Sequence, residues 1–138
     1  MHYEEVEVLL QRSEDYMELA DSAFDEEKYD AAIFLTEQAI QFYLKALLIK
    51  YADVRLRTHS VRELLAALGK ALEAEEKVAD FIRSHRSLLR ELEDAYIGGA
   101  RYEPRRYYRE DAEELMEFVR EVRDFVEGLA DEFERKSH

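Results

Sequence analysis

From Val6 the apolar residues Leu9, Leu10, Met17, Ala20 and Phe24 return at intervals of three and four, with Glu and Asp between them. That spacing lines one face of an α-helix and predicts an amphipathic first helix. A turn is expected at residues 26–29, with Asp30 as the N-cap of a second helix, because a short side-chain oxygen takes up a backbone N–H left open at a helix start. Beyond it, Ala31, Ala32, Ile33, Phe34, Leu35, Ala39, Ile40, Phe42, Tyr43, Leu44, Ala46, Leu47, Leu48 and Ile49 are too many for one stripe. A helix apolar nearly all round has to be enclosed on several sides, by the rest of a bundle or by a second copy of the chain.

After Tyr51 comes a polar link, then Ser60 and Glu63 in the S-x-x-E spacing of a capping box, followed by Leu64, Leu65, Leu68 and Leu72. A short third helix is expected there. Val78, Phe81, Ile82, His85, Leu88, Leu89, Leu92, Ala95 and Tyr96 keep helical spacing as far as Gly98 and Gly99, which predicts one continuous fourth helix. Residues 100–109 are non-periodic and hold the one proline, Pro104, before Ala112, Leu115, Met116, Val119, Val122, Val126, Leu129 and Phe133 set the stripe of a long last helix. No strand-like alternation occurs and no segment recurs at a fixed period, so the expected fold is all-α. It is a five-helix antiparallel up-and-down bundle, the short third helix serving as a crossover. Residues 1–138 are read as one domain, with 1–4 and 134–138 frayed.

Composition narrows the chemistry. Cysteine is absent, which excludes disulfides, thiolate zinc sites and cysteine nucleophiles together. No unbroken apolar run approaches the roughly 18 to 20 residues that span a bilayer, and the acidic start is unlike a signal peptide. A cytoplasmic protein without membrane contact is expected. The net charge of −13 argues against general affinity for DNA or RNA, which depends on neutralising phosphates. The charge is uneven, however. Residues 1–50 carry −8 and residues 111–138 carry −6, whereas residues 51–110 carry +1 and hold most of the arginines. An anion site belongs in that middle stretch, unless the arginines pair with the acidic terminal helices.

Several chemistries lack their residues. A carboxylate-bridged di-metal bundle needs Glu-x-x-His, but Leu56 and Ile82 stand three before His59 and His85. Phosphate loops need clustered glycines beside a strand, and no serine has the context of a nucleophile elbow. Neither a metal nor a cofactor is expected. His85 fits the apolar stripe of the fourth helix and reads as a packed, hydrogen-bonded histidine. His59 precedes the capping box, where a helix offers free N–H groups, and Arg55, Arg57 and Arg62 flank it. Such a place suits a phosphate, with the imidazole as hydrogen-bond donor or as acid or base; alternatively His59 only fixes the loop. A second cluster, Tyr96, Arg101, Tyr102, Arg105, Arg106, Tyr107, Tyr108 and Arg109, interleaves rings that stack on bases with cations that hold phosphates. Its plainer reading is a sealed bundle end with its arginines on nearby acids.

The run Tyr29, Asp30, Ala31, Ala32, Ile33, Phe34, continuing through Glu37, Gln38, Ala39, Ile40 to Tyr43, Leu44, Lys45, Ala46, Leu47, Leu48, resembles the central helix of the HEPN family, the higher eukaryotes and prokaryotes nucleotide-binding domain. Thr58, His59, Ser60 with Leu64 and Leu65, then Tyr96, Ile97 and Ala100, Arg101, Tyr102 before Pro104, extend the likeness in order. The resemblance implies a five-helix bundle, homodimers, and pairing with a minimal nucleotidyltransferase in toxin–antitoxin type modules. Many members are metal-independent RNases with an Arg-x(4–6)-His motif. Here three residues separate Arg55 from His59, one separates Arg83 from His85 and two separate Arg135 from His138, so none qualifies. The leading expectation is a nucleotide-binding or nucleotidyltransferase-partner protein other than a standard RNase. Its ligand-binding candidates are Arg55, Arg57, His59, Arg62, Tyr96, Arg101, Tyr102 and Arg105. An RNase toxin using His59 and arginines, and a purely structural dimer, are the alternatives.

Overall fold

The structure, a computed structural model, describes residues 2–95 and 106–137. Its first two helices, α1 (Tyr3–Asp25) and α2 (Tyr29–Ala52), form an antiparallel hairpin. The reason is a seven-residue repeat of small side chains. Val6, Ser13 and Ala20 on α1 meet Ala46, Ala39 and Ala32 on α2, all of them buried. Two helices whose apolar seams repeat every seven residues stay in register over their length, and small residues let their backbones come close. Close approach is confirmed in the middle of the seam, where the Ser13 hydroxyl donates to the Ala39 carbonyl at 2.8 Å.

The turn between these helices differs from the expected one. Glu27 takes a left-handed conformation (φ 62°), the Lys28 N–H closes back on the Ala23 carbonyl at 2.8 Å, and α2 already begins at Tyr29. Asp30 is therefore an acid in the first turn, favourable at the positive end of the helix, and not the N-cap.

Among the described residues the chain is all-helical with six helices, where five were expected. The others are α3 (Val61–Ala71), α4 (Glu75–Ser84), α5 (Arg86–Asp94) and α6 (Arg109–Lys136). The extra one arises because the expected fourth helix breaks at His85, whose backbone leaves helical geometry (φ −123°, ψ 30°). Its ring lies against Phe81, with centroids 4.2 Å apart, and its Nδ1 lies 2.8 Å from the Phe81 carbonyl oxygen while Nε2 lies 3.1 Å from Glu121. The side chain thus takes up a carbonyl at the end of α4, and the bend turns Leu89 and Leu92 into the core.

The helices are not all up and down. α6 is antiparallel to α1, as the Arg120–Asp21 and Arg123–Glu14 pairs show, but it runs parallel to α2: Met116 packs near Ala32, Arg123 lies over Tyr43, and Tyr51 meets Phe133. Reaching a parallel neighbour requires a crossover, which α3, α4 and α5 supply. α3 and α4 meet closely at Gly69, where a Cβ would sit 3.0 Å from the Val78 side chain.

α2 is enclosed by its own chain. α1, α3 and α6 cover it; Ile33, Ile40, Leu44 and Leu48 are fully buried, and Phe34 and Phe42 are half-buried. By length and composition α2 is long and apolar enough to cross a bilayer, contrary to the count of unbroken apolar runs, because its few polar residues are widely spaced. Some 72% of its most apolar window is buried within the fold, as befits a core helix.

The seam yields a direct test. Ala39→Leu puts three extra carbons where two backbones meet and should cost about 1–3 kcal/mol. A lower urea midpoint at unchanged slope is the expected outcome, and an unchanged midpoint would show that the helices are not held this close.

Candidate functional site

Three polar residues interrupt the apolar surface of α2 at intervals of one turn: Glu37, Gln41 and Lys45. Glu37 is wholly buried and Gln41 nearly so, while Lys45 is half-buried. Glu37 accepts from the Gln38 side-chain amide at 2.8 Å through one oxygen and from the Gln41 amide through the other. The Gln41 carbonyl oxygen then lies 3.1 Å from His59 Nδ1, in the link between α2 and α3. The result is a chain of contacts running from a carboxyl inside the bundle to an imidazole at its surface.

Electrostatics along this chain follow from burial. Loss of water pushes the Glu37 carboxyl up to about 7, against the opposing pull of the two amides and Lys45. Burial likewise lowers the Lys45 ammonium. His59 is held below its ordinary value, first by partial desolvation and then by the Lys45 charge, so the neutral imidazole is favoured.

Beside it, the N-terminus of α3 has a ready-made anion. Glu93, from α5, accepts from the Ser60 hydroxyl at 2.8 Å, the Arg62 backbone N–H at 3.2 Å and the Arg62 guanidinium at 2.8 Å and 3.2 Å. Burial raises the Glu93 carboxyl, but these hydrogen bonds outweigh it and hold the group below its ordinary value. The Ser60 cap forms as expected, its Oγ accepting from the Glu63 N–H at 3.2 Å. The Ser60 backbone N–H is taken by Thr58 Oγ1 at 3.0 Å, where a capping box would use Glu63.

The structure therefore separates the sequence candidates. Arg62 and the α3 terminus are satisfied by Glu93, so the phosphate position expected there is filled by a protein carboxylate. Arg55 lies elsewhere, bridging Glu5 at the start of α1 and Asp53 with contacts of 2.6 Å to each. Arg57 is exposed and makes no ion pair among the described residues. Tyr96, Arg101, Tyr102 and Arg105 fall outside the described residues. Arg106 and Tyr108 are exposed, Tyr107 is buried, and Arg109 lies 4.8 Å from the Phe24 ring and close to Glu113. His85 sits in aromatic packing away from these groups. Sequence reading passed over Glu37, Gln41, Lys45 and Glu93 as site residues, although the i, i+4, i+8 spacing of the first three was visible. Among the described residues no cluster of three His, Asp or Glu is placed to hold a metal ion.

The profile of the HEPN domain family matches residues 6–129, from the first turn of α1 almost to the end of α6. The chain belongs to the HEPN domain family. Neither the curated proteins nor the solved structures include a significant match to it. Membership places this HEPN domain in a nucleotide-binding and RNase-like superfamily, and the span matched contains Glu37, Gln41, His59 and Glu93 together.

Glu37 makes stability depend on pH with a definite sign. Its folded-state value exceeds the ordinary 4.5, so the folded state holds the proton more tightly, and Glu37 ionisation destabilises the fold as pH rises from about 4.5 to about 7. The Gln substitution is neutral throughout. Glu37→Gln should therefore gain stability relative to wild type across that window, by roughly 3 kcal/mol at most, and level off above it. Denaturant curves at a series of pH values measure this, and a constant difference between the two proteins would remove the buried acid as the cause.

Proposed function

We propose that this HEPN domain binds a nucleotide, directly or in company with a nucleotidyltransferase partner, within a toxin–antitoxin type module, and that His59 contacts the ligand. One observation carries the reading: a carboxyl buried at a cost in stability is joined through Gln41 to a surface imidazole beside a half-buried lysine. Perturbed groups linked in this way gather at functional sites more often than in purely structural packing. Arg57, and the tyrosines and arginines at 96, 101, 102 and 105 that follow α5 in the chain, would complete the ligand surface. Arg55 and Arg62, each paired with acids, serve the fold in this reading. A homodimer and a cytoplasmic setting go with it.

A second reading, a metal-independent RNase, draws support from the neutral His59 next to Lys45, an arrangement suited to proton transfer. The missing Arg-x(4–6)-His spacing ranks it lower.

Calorimetric titration of the full chain with ATP and other nucleotides should give saturable heat, with affinity reduced about tenfold or more by His59→Ala, a loss on the order of 1.4 kcal/mol. Absence of heat with every nucleotide would overturn direct binding. RNA incubated with the pure protein should stay intact; cleavage that disappears in His59→Ala would transfer the case to the RNase reading. The native mass in solution should be that of two chains.

A further inference from the structure

The start of α3 is fastened to α5 by one carboxylate. Glu93 accepts four hydrogen bonds there: from the Ser60 hydroxyl, the Arg62 backbone N–H and Arg62 Nε on one oxygen, and from Arg62 Nη2 on the other. Three of the four come from the same residue, and only 12% of the Glu93 side chain is exposed, so water competes poorly for the pair. Within its own helix the acid is badly placed. It stands in the last turn of α5, at the negative end of the helix dipole, where a cation is favoured and none occurs. The compensation for an acid at 93 therefore comes from α3 and not from α5.

The link that leads into α3 carries His59. At its other end it is closed on α2, where the Asp53 N–H donates to the Ile49 carbonyl at 3.0 Å and the Val54 N–H to the Leu48 carbonyl at 3.3 Å. At the His59 end Thr58 Oγ1 accepts from the Ser60 N–H at 3.0 Å, which turns the backbone around His59, and the Ser60 hydroxyl then donates to Glu93. His59 is thus next in sequence to the fastening. The contact of its Nδ1 with the Gln41 carbonyl oxygen, at 3.1 Å, leaves little slack, since a displacement of about 1 Å takes it beyond hydrogen-bond range.

We propose that Glu93 is a positioning residue for the nucleotide site: acting through Ser60 and Arg62, it holds the backbone at His59 in place before the ligand arrives. The ligand half of this statement rests on the nucleotide-binding reading, while the clip stands on the contacts of α3 with α5. A link ordered in advance is a cost removed from association, so the effect falls on affinity. Ser60 and Arg62 contribute to binding without touching the ligand.

Hydrogen exchange of the full chain, read amide by amide without nucleotide, tests the clip. Glu93→Leu removes every acceptor and frees Arg62, itself 42% exposed, to turn to water. Glu93→Gln keeps an oxygen for Ser60 and the Arg62 N–H but drops the charge. In Glu93→Leu the Arg62 amide should exchange about tenfold faster or more while the Leu44 and Val119 amides of the core keep their wild-type rates, and Glu93→Gln should fall between. An unchanged Arg62 rate, or core amides accelerated to the same degree, overturns the clip. Calorimetric titration with ATP should then give an affinity about tenfold lower in Glu93→Leu, restored in part by Glu93→Gln. Wild-type affinity in Glu93→Leu overturns the positioning role and leaves the nucleotide reading intact. Absence of heat even in the wild type would overturn the ligand half alone, because the exchange rates decide the clip. Arg62→Met cuts the guanidinium bonds from the other side; it takes the place of Glu93→Leu if that variant fails to fold, and the same outcomes decide.

Discussion

The close seam between α1 and α2 is the constraint on which the rest of the molecule depends. An apolar helix of 24 residues has more surface than one neighbour can cover, and the small side chains at seven-residue intervals bring α1 near enough to seal one flank completely. That leaves the other flanks for α3 and α6. Because α6 lies parallel to α2, the chain must travel the length of the bundle between them, and α3 to α5 are the means by which it does so. The crossover is what brings Glu93 and Ser60 into contact, 33 residues apart in sequence.

Against this background Glu37 stands out. A wholly buried carboxyl costs stability unless its partners compensate, and here two neutral amides and a half-buried ammonium compensate only in part, since the acid titrates near neutrality. Nothing in the packing of α2 calls for it: an apolar residue at 37 would serve the core as Ile33 and Leu44 do. The carboxyl is instead joined by hydrogen-bond contacts through Gln41 to an imidazole at the protein's surface. A fold that keeps a destabilising group linked to an exposed imidazole is consistent with a site whose activity depends on that link.

Much of the helical order was legible from spacing. The stripes of α1, α3 and α6, the Ser60 cap and the need to enclose α2 all follow from local pattern, which the structure reproduces. The break at His85 was not, because the three- and four-residue rhythm from Val78 to Leu92 passes straight across it; the ring holds the bend between the Phe81 carbonyl and Glu121, and the second of these lies 36 residues on. The fate of the arginines was equally hidden. Arg55 is bound by Glu5, 50 residues earlier, and Arg62 by Glu93, 31 residues later, and no window of local sequence connects such partners. Glu37, Gln41 and Lys45 were readable as a polar stripe on an apolar helix, yet their count is small against the hydrophobic residues around them, and a histidine beside arginines drew attention first. The cluster at 96–105 lies outside the described residues.

The arrangement of the chain ends has a mechanical consequence. α1 starts, and α6 finishes, at the same pole of the bundle: Arg55 ties Glu5 to the link beyond α2, and the Tyr51 hydroxyl donates to Glu134 at 2.7 Å. A load applied between the two ends would therefore peel the outer helices away one turn at a time, instead of shearing whole interfaces at once. Val6 at the start of α1 already packs on Ala46, so a pull from that end works on the α1–α2 seam one turn after another and never on its whole length together.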